Sequence, residues 1–253
     1  MEIKKTLKNI IGFKTDLASL TIVGVGPGDP SLITIAAVDA LNKAKVIFFP
    51  MSNDDRNSIS AEIVRKYIRF KNKIPIIFPM ARGEFNPDEI WTNSVNKILK
   101  FLQNNQSVVL LCLGDPTLFA SSSNILRIIN NSHPEIITKI IPGISSISAA
   151  AALSNTNLAL KGETLTIKEC PSSKQELVDL VIQNKNKRNV LVLMKVGKRW
   201  DWVKGVLKEE DIISKSIIAL NIGMSDQIVQ NASKFNENEV PYFSLLLIRF
   251  DDD

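Results

Sequence analysis

The stretch LTIVGVGPGDP, residues 20–30, decides the fold because an apolar strand pattern leads directly into a turn with three glycines. A helix pattern follows over residues 31–44. A strand–turn–helix unit of this kind brings a ligand close to main-chain amides at a helix N-terminus. The turn is no dinucleotide fingerprint, since Asp29 stands where that motif needs glycine, and it is no Walker loop. The simplest structural interpretation is a tight turn with Asp29 as N-cap and Pro30 at the first helical position.

Strand and helix patterns alternate along the rest of the chain, which is typical of α/β proteins. One helix is predicted to begin at Asn86-Pro87-Asp88-Glu89, because a first-position proline and two acids suit a helix N-terminus. We predict two α/β domains, residues 1–137 and 138–253. The predicted strands are residues 20–25, 45–49, 74–78, 107–113, 136–141, 164–168, 190–195, 216–221 and 242–249.

The composition is that of a folded protein, since 45% of the 253 residues are hydrophobic and 23% are charged. The apolar runs are far shorter than the ~20 residues that cross a bilayer, so we expect a cytoplasmic protein without a membrane partner. The single histidine, His133, and the two cysteines, Cys112 and Cys170, lack metal-site spacing, so we expect no bound metal and two reduced thiols. The net charge of +5 suits an anionic partner, but no basic stripe with interleaved aromatics indicates nucleic acid.

Two further turns repeat the layout of the first. Gly114-Asp115-Pro116 follows the apolar strand pattern of residues 107–113, and Pro142-Gly143-Ile144-Ser145-Ser146 follows that of residues 136–141. Parallel strands of one sheet end at the same edge, where open α/β sheets bind their ligands. The three turns therefore predict one shared pocket.

These turns resemble the signature turns of the tetrapyrrole methylases, which use S-adenosylmethionine. Within that superfamily the chain is most similar to the methyltransferases that act on carbon 20 of precorrin-2 or cobalt-factor II in cobalamin biosynthesis. The similarity extends from about residue 20 to residue 248, and four further stretches carry it: FPMAR at 78–82 with Trp91 downstream, GDPTL at 114–118, LMKVGK at 193–198 and PYFSLLLI at 241–248.

The resemblance implies two α/β domains with an active-site trough between them, S-adenosylmethionine at the domain interface, and a homodimer. Transfer of a methyl group from a sulfonium to carbon needs neither a protein nucleophile nor a metal, because the donor is already activated. The resemblance also implies which residues contact the cofactor, by their positions in the family pattern: Pro27, Leu113, Gly114, Asp115, Leu118, Ser145, Ser146, Met194, Val196, Ala219, Leu220 and Gly223.

The substrate that the resemblance implies is a tetrapyrrole with many carboxylates, for which Arg82 and Lys198 are the matching basic residues. Phe119 occupies a substrate-side position where the family usually has tyrosine, so one hydroxyl is lost there. Asn221-Ile222 likewise replaces a common pair of an acid and a base. Asp115 is the nearest acid for accepting the departing proton, with a turn-capping role as the alternative.

Three alternatives stay open at this point. The first is a methylase that acts on another tetrapyrrole position or on ribosomal RNA. The second is a binding module that keeps the fold but has lost turnover. The third is an amphipathic N-terminal helix that docks on a partner or a membrane surface. Its apolar residues are Ile3, Leu7, Ile10 and Ile11.

Overall fold

The computed structural model of the protein describes residues 18–51, 58–78, 87–185 and 188–250. The predicted N-terminal helix, Asn86 and Arg82 lie outside the described residues. By its contacts the chain forms two compact units. The first unit comprises the chain up to Gly24, Ile35–Cys112 and Pro116–Pro142, and the second comprises Val25–Thr34, Leu113–Asp115 and the chain from Gly143 onward.

The first unit is built on a five-stranded sheet in which every described pairing is parallel. The strand order is β3-β2-β4-β1-β5, and all five residues of β4 are buried because its sequence is apolar throughout. The strands are β1 Ser19–Gly24, β2 Val46–Met51, β3 Asn72–Ile77, β4 Val108–Cys112 and β5 Ile137–Ile141. The helices are α1 Ile35–Lys43, α2 Ile59–Ile63, α3 Arg65–Ile68, α4 Pro87–Gln103 and α5 Ser122–Ser132.

Helix α4 carries much of the core of this unit. It begins at Pro87 with two acids in its first turn, as predicted from the sequence. Its apolar residues recur at helical spacing, so Val95 and Ile98 are buried on one face together with Trp91. The Trp91 ring packs edge-on against Phe78, with ring centroids 4.9 Å apart.

The second unit is built on a mixed five-stranded sheet of order β6-β7-β10-β8-β9. Strands β6 and β7 are parallel, and β10 and β8 join antiparallel to their neighbours. The strands are β6 Thr164–Glu169, β7 Asn189–Met194, β8 Ser216–Leu220, β9 Ile228–Asn231 and β10 Ser244–Arg249. The helices are α6 Ser146–Leu153, α7 Lys174–Asn184 and α8 Trp200–Glu209.

Strand β10 and Trp200 organise the core of this unit. Five of the six residues of β10 are buried, as expected of a central strand covered on both faces. Trp200 is fully buried, packs edge-on against Phe235 at 5.7 Å between ring centroids, and donates its indole N–H to the Glu237 carbonyl at 2.9 Å. The hydrogen bond satisfies the one polar atom of this side chain.

The predicted α/β class is confirmed, and each of the nine predicted strands overlaps an observed one. Strand β9 was missed because all its residues are only half-buried, and it has no continuous apolar run. The prediction of one helix over residues 31–44 was wrong. A short 3₁₀ helix, Pro30–Leu32, is followed by extended backbone at Ile33, and α1 begins only at Ile35.

The predicted domain boundary between residues 137 and 138 falls inside β5. That strand pairs with β1 along its whole length, and the contacts keep it in the first unit up to Pro142. Within the described part of the chain, no helix combines the length and apolar character needed to cross a membrane.

Candidate functional site

The three glycine- or proline-rich turns follow three neighbouring strands, β4, β1 and β5. Gly24 at the end of β1 is paired with Cys112 at the end of β4, and Val23 is paired with Ile141 at the end of β5. The three strands therefore end at the same level. This confirms the prediction that the turns leave one edge of one parallel sheet, the edge where such sheets bind ligands.

Two of these turns are joined through main-chain hydrogen bonds between glycines. The Gly114 amide donates to the Gly26 carbonyl at 2.8 Å, and the Gly26 amide donates to the Gly114 carbonyl at 3.4 Å. Gly26 has a φ of +83° and Gly114 a φ of +70°, a region that glycine adopts without the strain imposed by a Cβ. The contacts of both residues place them in the second unit.

The turn after β1 also touches a loop that comes about two hundred residues later in the chain. A Cβ added to Gly28 would lie 2.6 Å from the carbonyl carbon of Gly223, and one added to Gly223 would lie 2.4 Å from the Asp29 nitrogen. Real Cβ atoms essentially never show such distances. The two segments therefore pack backbone against backbone, and both positions need glycine.

Residues 221–227, here called the β8 loop, are held by side-chain and main-chain hydrogen bonds, one of which joins the Met224 amide to the Asn221 carbonyl at 2.9 Å. Asn221 has a φ of +47°, and its side-chain amide donates to Asp226 Oδ2 at 2.6 Å. The Gly223 amide donates to Gln227 Oε1 at 2.7 Å, and the Asn221 amide donates to the Phe243 carbonyl at 2.8 Å. Asp226 and Gln227 were not identified from the sequence, although an Asn-x-Gly turn followed by an acid and an amide is a usable signal.

The turn after β7 is fixed against the start of β10. Lys195 has a φ of +57°, its ammonium group pairs with Glu169, and its carbonyl accepts from Arg199 Nη1 at 2.8 Å. The Gly197 amide donates to Ser244 Oγ at 2.8 Å. Several independent hydrogen bonds thus fix the turn that contains three of the predicted site residues, Met194, Val196 and Lys198.

The predicted cofactor residues in these loops differ in what their side chains can do. Val196 and Leu220 belong to the hydrophobic core of the second unit, and Ala219 is fully buried. Pro27 is buried and Met194 is half-buried. Because the side chains of Val196 and Leu220 are in the core, only their main-chain atoms could contact a ligand.

Ser145 and Ser146 lie at the start of α6. Ser145 is the N-cap of this helix, and its Oγ accepts from the Ser148 amide at 3.2 Å. The hydroxyl satisfies an amide that would otherwise have no intrahelical partner. This is a local structural role within the helix itself.

The remaining predicted residues lie in the segment after β4 and on the surface. Leu113 and Asp115 are half-buried on either side of Gly114, and Leu118 is half-buried in the first unit. Phe119 is 42% exposed with a φ of +49°, which is unusual for a bulky side chain. Lys198 is exposed.

Two titratable groups near these turns have shifted pKa values. The pKa of the Asp29 carboxyl is lowered because it accepts a hydrogen bond from the Ser31 amide at 2.7 Å, as the predicted N-cap role requires. Burial raises the pKa of the Cys170 thiol to about 11, although the nearby Arg199 acts in the opposite direction. Cys170 is therefore a protonated thiol at neutral pH and a poor nucleophile. Among the described residues, no group of three acids, histidines or cysteines is placed to hold a metal ion.

Comparison with known proteins agrees with this geometry. Residues 19–234 match the family of Tetrapyrrole (Corrin/Porphyrin) Methylases. A probable cobalt-precorrin-2 C(20)-methyltransferase of Methanocaldococcus jannaschii is 31% identical over 232 residues, which are 90% of this chain and 94% of that protein.

Solved structures show the same fold. A cobalt precorrin-4 methyltransferase, CbiF, superposes with a TM-score of 0.69 at 18% identity, over 96% of this chain and 100% of that one. A uroporphyrin-III C-methyltransferase from Thermus thermophilus, solved with S-adenosyl homocysteine, has a TM-score of 0.61 at 16% identity, over 91% and 97% of the two chains. With the glycine-rich turns, the two sheets and the family match all in agreement, this chain belongs to the tetrapyrrole (corrin/porphyrin) methylase family.

Proposed function

We propose that the protein is an S-adenosylmethionine-dependent methyltransferase that methylates carbon 20 of precorrin-2 or cobalt-factor II in cobalamin biosynthesis. The observation that carries this proposal is the 31% identity, over 90% of this chain and 94% of its relative, to a protein named for C(20) methylation of cobalt-precorrin-2. The family match, residues 19–234, covers all three turns, so it includes the segments expected to bind the cofactor.

The residues present fit S-adenosylmethionine. Nothing lies within 4 Å of the position that a Cβ on Gly114 would take, so the main chain there borders open space that a ligand can occupy. The two main-chain hydrogen bonds to Gly26 keep that segment in place. When bound, S-adenosylmethionine supplies an activated methyl group, and the task of the protein is to orient it and exclude water.

Main-chain atoms of Leu113, Gly114 and Asp115 would hold the cofactor, with Pro27 and Met194 beside them. Lys198 is exposed and would bind a carboxylate of the substrate as a point charge. Arg82 would serve the same purpose, and Phe119 would present an apolar face. We assign the acceptance of the proton that leaves carbon 20 to Asp115. By the same family resemblance, we propose that the protein works as a homodimer in the cytoplasm.

The test is a transfer assay with purified protein, methyl-labelled S-adenosylmethionine and one of three additions: precorrin-2, cobalt-factor II or buffer. We expect one labelled methyl group on one of the two tetrapyrroles, measured by mass. Binding of the cofactor without transfer to either substrate would favour a silent binding module or a different tetrapyrrole. Failure to bind the cofactor would refute the proposal.

A pair of lysine variants tests the substrate contact. Lys198→Gln is expected to raise KM for the tetrapyrrole several-fold, because a charge-assisted hydrogen bond to a carboxylate is lost. Lys208→Gln, at an exposed position on α8, is the matched control and is expected to leave KM unchanged. Equal KM values for the two variants would remove Lys198 from the substrate site.

A further inference from the structure

We propose that Gln227 is a positioning residue for the cofactor turn: its side-chain oxygen holds the β8 loop, and through Gly223 that loop holds residues 26–30. This inference rests on the proposed function, because it assumes that the turn after β1 binds S-adenosylmethionine. Gln227 itself is not expected to touch the cofactor or the substrate.

The first step of the argument is that one peptide group connects the two segments. The amide N–H of the Ile222–Gly223 peptide donates to Gln227 Oε1 at 2.7 Å. The carbonyl oxygen of the same peptide lies 2.7 Å from the position that a Cβ on Gly28 would take. No described peptide bond is cis, so the N–H and C=O of this group point in opposite directions. Gln227 thus binds the N–H of the Ile222–Gly223 peptide, and the C=O of the same peptide packs on Gly28.

The second step is that the packing leaves almost no freedom. A Cβ on Gly223 would lie 2.4 Å from the Asp29 nitrogen and 2.8 Å from the Gly28 Cα. A rotation of the Ile222–Gly223 peptide would therefore push directly on the main chain of Gly28 and Asp29. Asp29 in turn caps the 3₁₀ helix that ends the turn.

The third step concerns the other bonds of the β8 loop. The Met224 amide donates to the Asn221 carbonyl at 2.9 Å and closes a turn around the Ile222–Gly223 peptide. Type I and type II turns share this hydrogen bond and differ in the orientation of their central peptide, so the bond alone does not fix that orientation. The Asn221 amide is bound to Phe243 and the Asn221 side chain is bound to Asp226, and both bonds act before Ile222. Asn221 and Gly223 both have positive φ values, +47° and +80°. The side chain of Gln227 bonds to the N–H of this peptide itself, so it holds the peptide in the orientation that packs against Gly28.

The test uses calorimetric binding of S-adenosyl homocysteine, which needs no tetrapyrrole. Gln227→Met keeps the length of the side chain but removes the acceptor, and we expect its Kd to rise roughly two- to tenfold, the range for one net hydrogen bond. Gln227→Glu keeps an acceptor oxygen and is expected to restore the binding. Gln175→Met, on the exposed start of α7, is the matched control and is expected to bind as the unmodified protein does.

Kinetics separate positioning from a general structural effect. Gln227→Met is expected to raise KM for S-adenosylmethionine with little change in kcat or in the unfolding midpoint, because its hydrogen bond is exposed. Equal Kd values for the Met variant and the unmodified protein, or no recovery in the Glu variant, would overturn the inference while leaving the proposed function intact. If the unmodified protein does not bind S-adenosyl homocysteine, both fail together.

Discussion

Replacing Gly223 with alanine tests the contact between the β8 loop and the turn after β1. Two effects are expected to add. The φ of +80° is strained for any residue with a Cβ, which costs about 1–2 kcal/mol. The new Cβ would also lie 2.4 Å from the main-chain nitrogen of Asp29, and overpacking of this kind costs about 1–3 kcal/mol. The expected loss in the free energy of unfolding is therefore about 2–5 kcal/mol.

Two other glycines separate these effects. Gly162 has a φ of +84° but nothing within 4 Å of the position of a Cβ, so Gly162→Ala reports the backbone strain alone. Gly28 has no positive φ, yet its Cβ would lie 2.6 Å from Gly223, so Gly28→Ala reports the steric conflict alone. We expect losses of about 1–2 kcal/mol for Gly162→Ala and about 1–3 kcal/mol for Gly28→Ala.

The assay is urea unfolding of the three variants and the unmodified protein, followed by circular dichroism, with thermal midpoints as a second measure. For a chain of this size each kcal/mol corresponds to about 2–4 °C in Tm. S-adenosyl homocysteine binding is measured in parallel and should weaken in Gly28→Ala and Gly223→Ala but not in Gly162→Ala. The reasoning is refuted if Gly223→Ala is no less stable than Gly162→Ala, because the close contact would then contribute nothing.

Two further predictions concern charged side chains. Asp29→Ala should lower stability by about 0.5–2 kcal/mol through loss of the cap. Because the Asp29 pKa is lowered on folding, its charge stabilises the native state above the unfolded pKa, and this contribution disappears as the pH falls through the folded value. Between neutral pH and about pH 3, the urea midpoint of Asp29→Asn should therefore fall less than that of the unmodified protein. The same fall in both proteins would contradict the assignment. Glu163→Met should cost about 3–5 kcal/mol, because it removes the charge paired at 2.7 Å with Arg249, whose side chain is only 18% exposed. In the control Glu209→Met the lost pair with Lys174 is about half exposed, so a change within about 1 kcal/mol is expected, and equal losses for the two variants would refute the argument.

The sheet edge at which the three turns lie was predictable because its signals are local. Each of the three turns follows its strand directly in the chain, and strands that alternate with helices form parallel sheets. The N-cap role of Asp29 was likewise readable, since a cap depends on residues two or three positions apart. The start of α4 at Pro87 follows from the same kind of short-range chemistry.

Long-range contacts were not predictable in this way. Nothing in residues 20–30 indicates that Gly28 packs on Gly223, because the steric need for glycine arises only when the two backbones meet. The hydrogen bond from the Gly223 amide to Gln227 likewise exists only once the β8 loop has folded. The same holds for β5, whose pairing with β1 keeps it in the first unit beyond the predicted boundary. Strand β9 was missed because it has no continuous apolar run.

The sequence by itself determined the α/β class, the turns at the strand ends and the family, because these depend on apolar periodicity and on short motifs of glycine and proline. Only the tertiary structure decided which loops meet. It places Gly26 beside Gly114 and Gly28 against Gly223, and it directs the side chain of Gln227 to the Ile222–Gly223 peptide. The physical reason is that local conformation is set by neighbours in the chain, whereas close backbone contacts and their hydrogen bonds exist only once distant segments have packed.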